Sequence, residues 1–306
     1  MDFTVEGWRG KMNKEKFILI LITGLLLFSS FYWHEKKNEK TMESITYFPT
    51  NPNATFLEAK TVLQYNGRKQ KGYEITLRTF SNFEKQAYLR QDVTFIFANG
   101  RLIDKENHWK RDVRQLAFEG NIPFDQNALF QAVTFHHAEI HAPKEGISSV
   151  QTGSMDDLYV IGTESPALNF REAETEEEFG WKEIMDKKTS EILETSKQSA
   201  VETDYFHPEF YDAIPLTELF PFMTQPLPSF SMEETKRIIG QLMEGLYKNY
   251  FLGIKKMDGT TVSPIGSTVP IIWIAKNKMD LFITFETADG QPVVLRQNIG
   301  TKHSGK

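Results

Sequence analysis

The chain has 306 residues, of which 40% are hydrophobic and 24 are phenylalanine, and its net charge is −6. This length and hydrophobic share predict a packed globular region rather than a disordered chain. The acidic balance and the lack of a Lys or Arg cluster disfavour a nucleic-acid partner, and the absence of cysteine excludes disulfides, thiolate zinc sites and cysteine nucleophiles.

Residues 17–33 form an apolar run without a charge, with lysines on both sides and an aromatic cluster at its end. As a helix it would rise roughly 25 Å, which is close to the ~30 Å hydrocarbon core of a bilayer. A cleaved signal peptide fits less well, because cutting after Ser29 or Ser30 would place large Leu27 or Phe28 where a small residue is preferred. A buried core helix is a third interpretation. We therefore predict an uncleaved signal-anchor, a single transmembrane helix in the cell membrane.

The sixteen residues before this run carry four positive charges, against three just beyond it. The positive-inside rule then places the tail, residues 1–16, in the cytoplasm and the bulk of the chain outside it. The short basic tail decides the orientation more than this difference of one charge does, because exporting sixteen residues with four positive charges is the less usual outcome. The expected location is therefore extracytoplasmic, with the membrane itself as a partner through residues 17–33.

The remaining chain predicts an α+β fold, mainly antiparallel, with two or three helices. Its composition divides it into a tether over residues 34–60, a β-rich region over 61–170, an acidic helix over 171–200, a belt rich in proline and aromatic residues over 201–230, and a helix with a three-stranded meander over 231–300. Residues 61–300 are compatible with one domain or with two.

Two local signals are specific. Asn99-Gly100 lies between apolar runs and predicts a tight hairpin turn, because both residue types tolerate positive φ. Ser231 followed by Glu234 is a capping box, which predicts that a helix begins there.

The belt, residues 201–230, interleaves five prolines with seven aromatic residues. Proline restricts φ and aromatic rings supply large apolar area, so we expect an ordered segment that lies over another surface. Its aromatic side chains either pack within the chain or stay partly exposed for a protein partner. Phe220, Phe222 and Phe230 are the candidate partner-binding residues.

One compact polar group lies at His137, Glu139 and His141, which share a face if the segment is a strand. The two histidines would be about 13 Å apart on a straight strand, so one metal ion could bind only a neighbouring pair. A third ligand would have to come from elsewhere. The open choices are His108, His207 and the pair Asp156 and Asp157. His137 and Glu139 are also the candidate catalytic residues.

No phosphate-binding loop, dinucleotide-binding turn or nucleophile elbow is present in the sequence. We therefore expect a membrane-anchored extracytoplasmic binding or regulatory protein that acts on a protein partner, and not an enzyme. The alternative is an envelope metal-dependent hydrolase that uses His137, Glu139 and His141. A divalent metal belongs only to that alternative, and no other cofactor is expected. A structural or assembly component is a third interpretation.

Overall fold

Strands dominate the computed structural model, which describes residues 48–142, 146–164, 166–256 and 259–299. All of these residues belong to one compact unit. The strands are β1 (Phe56–Arg68), β2 (Tyr73–Ala98), β3 (Arg101–Phe124), β4 (Ala128–Ala142), β5 (Gly146–Ile161), β6 (Leu168–Phe170), β7 (Tyr211–Pro215), β8 (Ile254–Lys255), β9 (Thr261–Val262), β10 (Ile271–Ala275), β11 (Asp280–Glu286) and β12 (Pro292–Asn298). The α-helices are α1 (Glu176–Val201) and α2 (Met232–Leu246).

The larger sheet is organised around β2, which is 26 residues long and pairs with three strands, all antiparallel. Its first half lies between β1 and β3, and its second half lies between β4 and β3. Register shifts between Asn82 and Thr94 separate the two halves. Bulges of this kind bend a strand and increase its twist. The strand order of this sheet is β1-β2-β4-β5-β6. Strand β3 pairs with β2 along the edge opposite to β1 and β4.

The bend brings β1 against β5, where side chains join the two strands. Thr61 Oγ1 lies 2.6 Å from Ser154 Oγ, and the Leu63 amide donates to Asp156 Oδ2 at 2.7 Å. Arg171 binds the same Asp156 carboxylate and the Leu63 carbonyl. A core forms inside this fold of the sheet. Its fully buried members include Leu63, Ile75, Leu77, Ile96, Phe130 and Val160.

The second sheet has the order β12-β11-β10-β7 and is antiparallel. Strands β10 and β11 are buried along their whole length. A single hydrophobic cluster joins this sheet to α2 and to the outward face of β2 and β4. Its members include Phe95 of β2, Phe135 of β4, Leu242 of α2 and Phe285 of β11. The functional surfaces lie where this cluster meets the larger sheet.

Both helices begin at a capping box. The Ser231 hydroxyl accepts from the Glu234 amide, and the Glu234 carboxylate accepts from the Ser231 amide, which confirms the predicted start of α2. Thr175 and Glu178 do the same for α1. After α2 the chain makes one π-helical turn over Tyr247–Phe251. Three short 3₁₀ turns, at Pro208–Phe210, Leu216–Glu218 and Phe220–Met223, fold the belt.

The predicted fold class, α+β with a transmembrane helix, is wrong for the described chain. Strands make up 51% of it and helices 23%, so it is mostly β. The prediction missed most of β3 because its residues are mostly half-buried or exposed, with few buried ones, which removes the alternation of apolar and polar residues.

None of the helices in the described ranges is long and apolar enough to cross a bilayer. The longest, α1, has 26 residues, but many of them are charged and only a stripe is buried. Residues 17–33 lie outside the described residues, so the membrane-related description built on them has no support in the structure. The cellular location and the orientation of the N-terminus stay predictions from the sequence.

Candidate functional site

The polar face predicted on β4 exists, and its centre is an ion pair. Glu139 is almost fully buried and pairs with Arg90, its near neighbour on β2. His141 Nε2 lies 3.2 Å from Glu139 Oε2, and His137 Nδ1 lies 4.0 Å from Glu139 Oε1. Burial and the nearby Arg90 charge lower the pKa of His137 to about 3, so its ring is neutral near pH 7. The face therefore contains one carboxylate that a guanidinium already binds.

Two of the residues considered as a third metal ligand, Asp156 and His108, already lie in other contacts. Asp156 accepts from Arg171 and from the Leu63 amide. His108 stacks on Phe118 with 3.9 Å between ring centroids and lies 3.2 Å from Glu106. Within the described ranges, no group of three His, Cys, Asp or Glu side chains is placed to hold a metal ion. The metal site stays a prediction without a third ligand.

His136, on the opposite face of β4, belongs to a buried polar chain inside the larger sheet. Its Nδ1 lies 2.7 Å from Ser81 Oγ and its Nε2 lies 2.7 Å from Ser154 Oγ. The Gln91 side chain continues the chain: its Nε2 donates to Ser81 Oγ at 2.9 Å, and its Oε1 accepts from Thr79 Oγ1 at 2.7 Å. Burial lowers the pKa of His136 to about 3. A neutral imidazole that donates at one nitrogen and accepts at the other satisfies both serines, which is a structural role.

The three candidate aromatic residues of the belt have different surroundings. Phe220 is 7% exposed and lies against Gly153 of β5. Phe230 is half-buried, with Lys278 Nζ 4.9 Å from its ring centroid. Phe222 is half-buried and lies in the wall of an open cleft. The most exposed aromatic side chains of the belt are instead Tyr205 and Phe210, at 60% and 61%.

The cleft beside Phe222 has a volume of about 760 Å³, and we call it the Phe222 cleft. Three elements enclose it: the segment that leads into β1, the middle of β5, and the start of α2 with the last 3₁₀ turn of the belt. Its lining residues are Thr50, Asn51, Pro52, Ala54, Thr55, Phe56, Val150, Gln151, Thr152, Phe222, Met223, Met232, Glu233, Lys236 and Ile239. Ligand pockets typically measure about 300–1,000 Å³, so this cleft falls within that range.

Local contacts hold each wall in place. The Asn51 amide donates to the Ser149 carbonyl at 2.8 Å, and the Ser149 amide donates to the Pro49 carbonyl at 2.8 Å. On the opposite side, the Leu227 amide donates to Thr235 Oγ1 at 2.9 Å, which ties the belt to α2. The cleft is therefore bounded by hydrogen-bonded backbone on two sides.

The sequence singled out Phe222, which lines this cleft, but it indicated none of the residues of the other walls. Residues 50–56 were predicted to belong to the tether, over residues 34–60, and no sequence pattern indicated that they lie beside β5. Met223 is the one neighbour that its position in the chain could have suggested. Met232 and Lys236 were placed on a helix without any sign of what they would face.

Comparisons with protein-family models, with curated proteins and with solved structures found no match for this chain.

Proposed function

We propose that this chain is a binding protein that holds an apolar segment of a protein partner in the Phe222 cleft. The observation that carries the proposal is the cleft itself, which is open and of ligand size. It combines large apolar side chains, which we call its floor, with the exposed charged side chains of Glu233 and Lys236, which we call its edge. Most ligand sites share this combination, in which apolar side chains supply binding energy and a few polar groups fix orientation.

An apolar segment suits the floor of the cleft. Phe222, Met223, Met232, Phe56 and Ile239 offer large apolar side chains to it. Methionine is unbranched and adapts its shape, and for this reason it is frequent on surfaces that bind apolar peptide side chains. Burying one large apolar side chain of a partner contributes roughly 1.5–3 kcal/mol, so two or three such contacts would suffice for a specific, moderate affinity.

A polypeptide suits the edge of the cleft. Glu233 and Lys236 are both exposed and lie one turn apart at the start of α2. They offer an acceptor and a donor to the polar atoms of a peptide backbone or to its charged side chains. Gln151 and Thr152 on the facing strand add further polar groups. This polar edge supports a peptide more than a wholly apolar ligand such as a hydrocarbon chain.

Selection of short peptides from a displayed random library on the purified full chain tests the proposal. We expect the enriched peptides to share apolar residues and to compete with one another for one site. Phe222→Ala should weaken their binding by about tenfold or more, because an aromatic anchor in a pocket typically contributes at least 1.4 kcal/mol. Lys236→Glu should also weaken it and leaves the floor intact.

Phe179→Ala and Lys187→Glu are the matched controls, since both residues are exposed on α1. They should bind the selected peptides as the unmodified chain does. The proposal is wrong if no peptide is enriched, or if the Phe222 and Lys236 variants bind as tightly as the two controls. The hydrolase alternative stays a prediction, because no observation on the structure favours it.

A further inference from the structure

A second cleft, also of about 760 Å³, lies between the outward face of β4 and β5, helix α1 and residues 214–225 of the belt. We call it the Asp157 cleft. Phe222 lines both this cleft and the one described above. The two are nevertheless distinct, because no other residue is shared between their walls.

Asp157 of β5 is a carboxyl group of this cleft without an ionic partner in the described chain. Its side-chain contact is a long hydrogen bond from Gln131 Nε2 at 3.4 Å. Burial raises its pKa to about 6, and the neighbouring Asp156 and Asp186 charges act in the same direction, whereas Gln131 and Lys182 oppose them. A half-buried carboxylate without a cation is costly, because it loses hydration without gaining a counter-charge.

Thr189 of α1 supplies an independent observation. It lines the same cleft, is only 7% exposed, and its buried Oγ1 has no hydrogen-bond partner. Nearly all buried hydroxyl groups in proteins are hydrogen-bonded, so an unpaired one beside a cleft indicates a missing donor or acceptor. A ligand that donates hydrogen bonds and carries positive charge would pair with Asp157, and it would satisfy Thr189 once rotation of that side chain brings the shielded Oγ1 to the cleft surface.

The rest of the wall favours an alkyl chain behind that charge. Leu129, Met155, Leu193 and Ile214 also line the cleft. An alkylammonium ion matches this arrangement, because its stem can lie along apolar side chains while its charged head reaches a carboxylate. A metal ion matches it less well, since no three acidic or histidine side chains in the described ranges converge there.

We infer that the Asp157 cleft binds an alkylammonium group, with Asp157 as its counter-ion and Thr189 as an acceptor for one of its protons. The group belongs either to a free alkylamine or to a lysine side chain. This inference does not depend on the proposed function, because Asp157 and Thr189 do not line the Phe222 cleft.

The other charges around Asp157 are largely neutralised among themselves. On α1, Lys182 pairs with Asp186, and Lys197 pairs with Glu194 at 2.7 Å. On β5, Asp156 is bound by Arg171. Glu218 of the belt lines the cleft and forms no ion pair within the described residues. Asp157 and Glu218 are therefore the two carboxylates that remain for a cation.

Ligand-observed NMR titration of the full chain tests this inference with n-pentylamine, and with n-pentanol as the neutral control. N-acetyl-lysine amide and N-acetyl-norleucine amide form the second pair and distinguish a side chain from a free amine. We expect the amine of at least one pair to bind and its neutral partner not to bind. Between about pH 7.5 and pH 5 the affinity should fall about tenfold, because Asp157 takes up a proton.

Asp157→Asn should weaken binding about tenfold, and the exposed Asp125→Asn is its matched control. Thr189→Val removes the hydroxyl at nearly constant volume and should weaken binding as well. The inference is overturned if neither amine binds more tightly than its neutral partner, or if the Asp157 and Asp125 variants bind alike. Binding of n-pentylamine alone would identify a free amine as the ligand, and binding of the lysine derivative alone would identify a polypeptide.

Discussion

At the scale of single residues, Gly153 decides how closely the belt approaches β5. A Cβ built at this position would lie 2.5 Å from Phe220 Cδ1 and 3.0 Å from Met223 Cε. Real carbon atoms do not approach so closely, and Phe220 is buried, so its ring has little room to move. The absence of a side chain at Gly153 therefore places the belt, and with it the Phe222 cleft.

We predict that Gly153→Ala lowers the free energy of unfolding by about 1–3 kcal/mol, the usual effect of overpacking a core. Urea unfolding of the full chain measures this. Gly180→Ala is the matched control, since nothing lies within 4 Å of its added Cβ and it is in a helix. Gly180→Ala should raise the free energy of unfolding by about 0.5–1 kcal/mol, because alanine favours a helix more than glycine does. Equal effects at the two positions would contradict this description of the belt contact.

A second prediction at this scale concerns His136 and the pH dependence of stability. Its pKa falls from 6.5 to about 3 on folding because it is fully buried. Between those values the unfolded chain binds a proton that the folded chain does not, so the free energy of unfolding decreases as the pH falls. His137 acts in the same direction, whereas Asp157, whose pKa rises to about 6, acts in the opposite one below that pH.

His136→Gln should therefore flatten the pH dependence of the free energy of unfolding by about 1 kcal/mol per pH unit between about pH 5 and 6. Denaturant titrations at several pH values measure the slope. His207→Gln, at an exposed position, is the matched control for the substitution itself. An unchanged slope in the His136 variant would mean that this ring is protonated in the folded chain.

At the scale of elements, the start of α2 is the part of the fold that the sequence predicted most sharply. We expect Ser231→Ala to cost about 1 kcal/mol of stability, because the Glu234 amide loses its acceptor. Thermal or urea unfolding measures it. Ser190→Ala, at an exposed position within α1, should change stability by less than about 0.5 kcal/mol. If Ser231→Ala lowered the free energy of unfolding by less than Ser190→Ala does, the capping role of Ser231 would be wrong.

Elements with local signals were predictable, and those specified by distant contacts were not. The turn at Asn99-Gly100 is confirmed by φ values of 47° and 77°. By contrast, β2 continues through the buried polar residues Ser81 and Gln91, which interrupt an apolar pattern. Their polar groups are satisfied by His136 and Thr79, from another strand and from an earlier part of β2. No residue near Ser81 or Gln91 in the sequence indicates those partners.

At the scale of the whole molecule, the candidate site shows the same division. Phe222 was predictable because prolines and aromatic residues mark the belt as an ordered apolar surface. Its neighbours in the cleft come from residues 50–56, from Val150–Thr152 and from α2, which are far apart in the chain. Only the bend of the larger sheet and the packing of α2 bring them together. A binding surface of this kind has no sequence motif.

The most direct measurement of the central claim is NMR of the full chain with isotope-labelled methionine methyl groups, titrated with a peptide selected on it. The chain has ten methionines, of which Met223 and Met232 line the Phe222 cleft and Met279 is 58% exposed and does not line it. Single substitutions to leucine assign the signals. We predict that the Met223 and Met232 signals shift with peptide concentration while the Met279 signal stays in place. Shifts at Met279 with none at Met223 and Met232 would contradict the assignment of the binding function to this cleft.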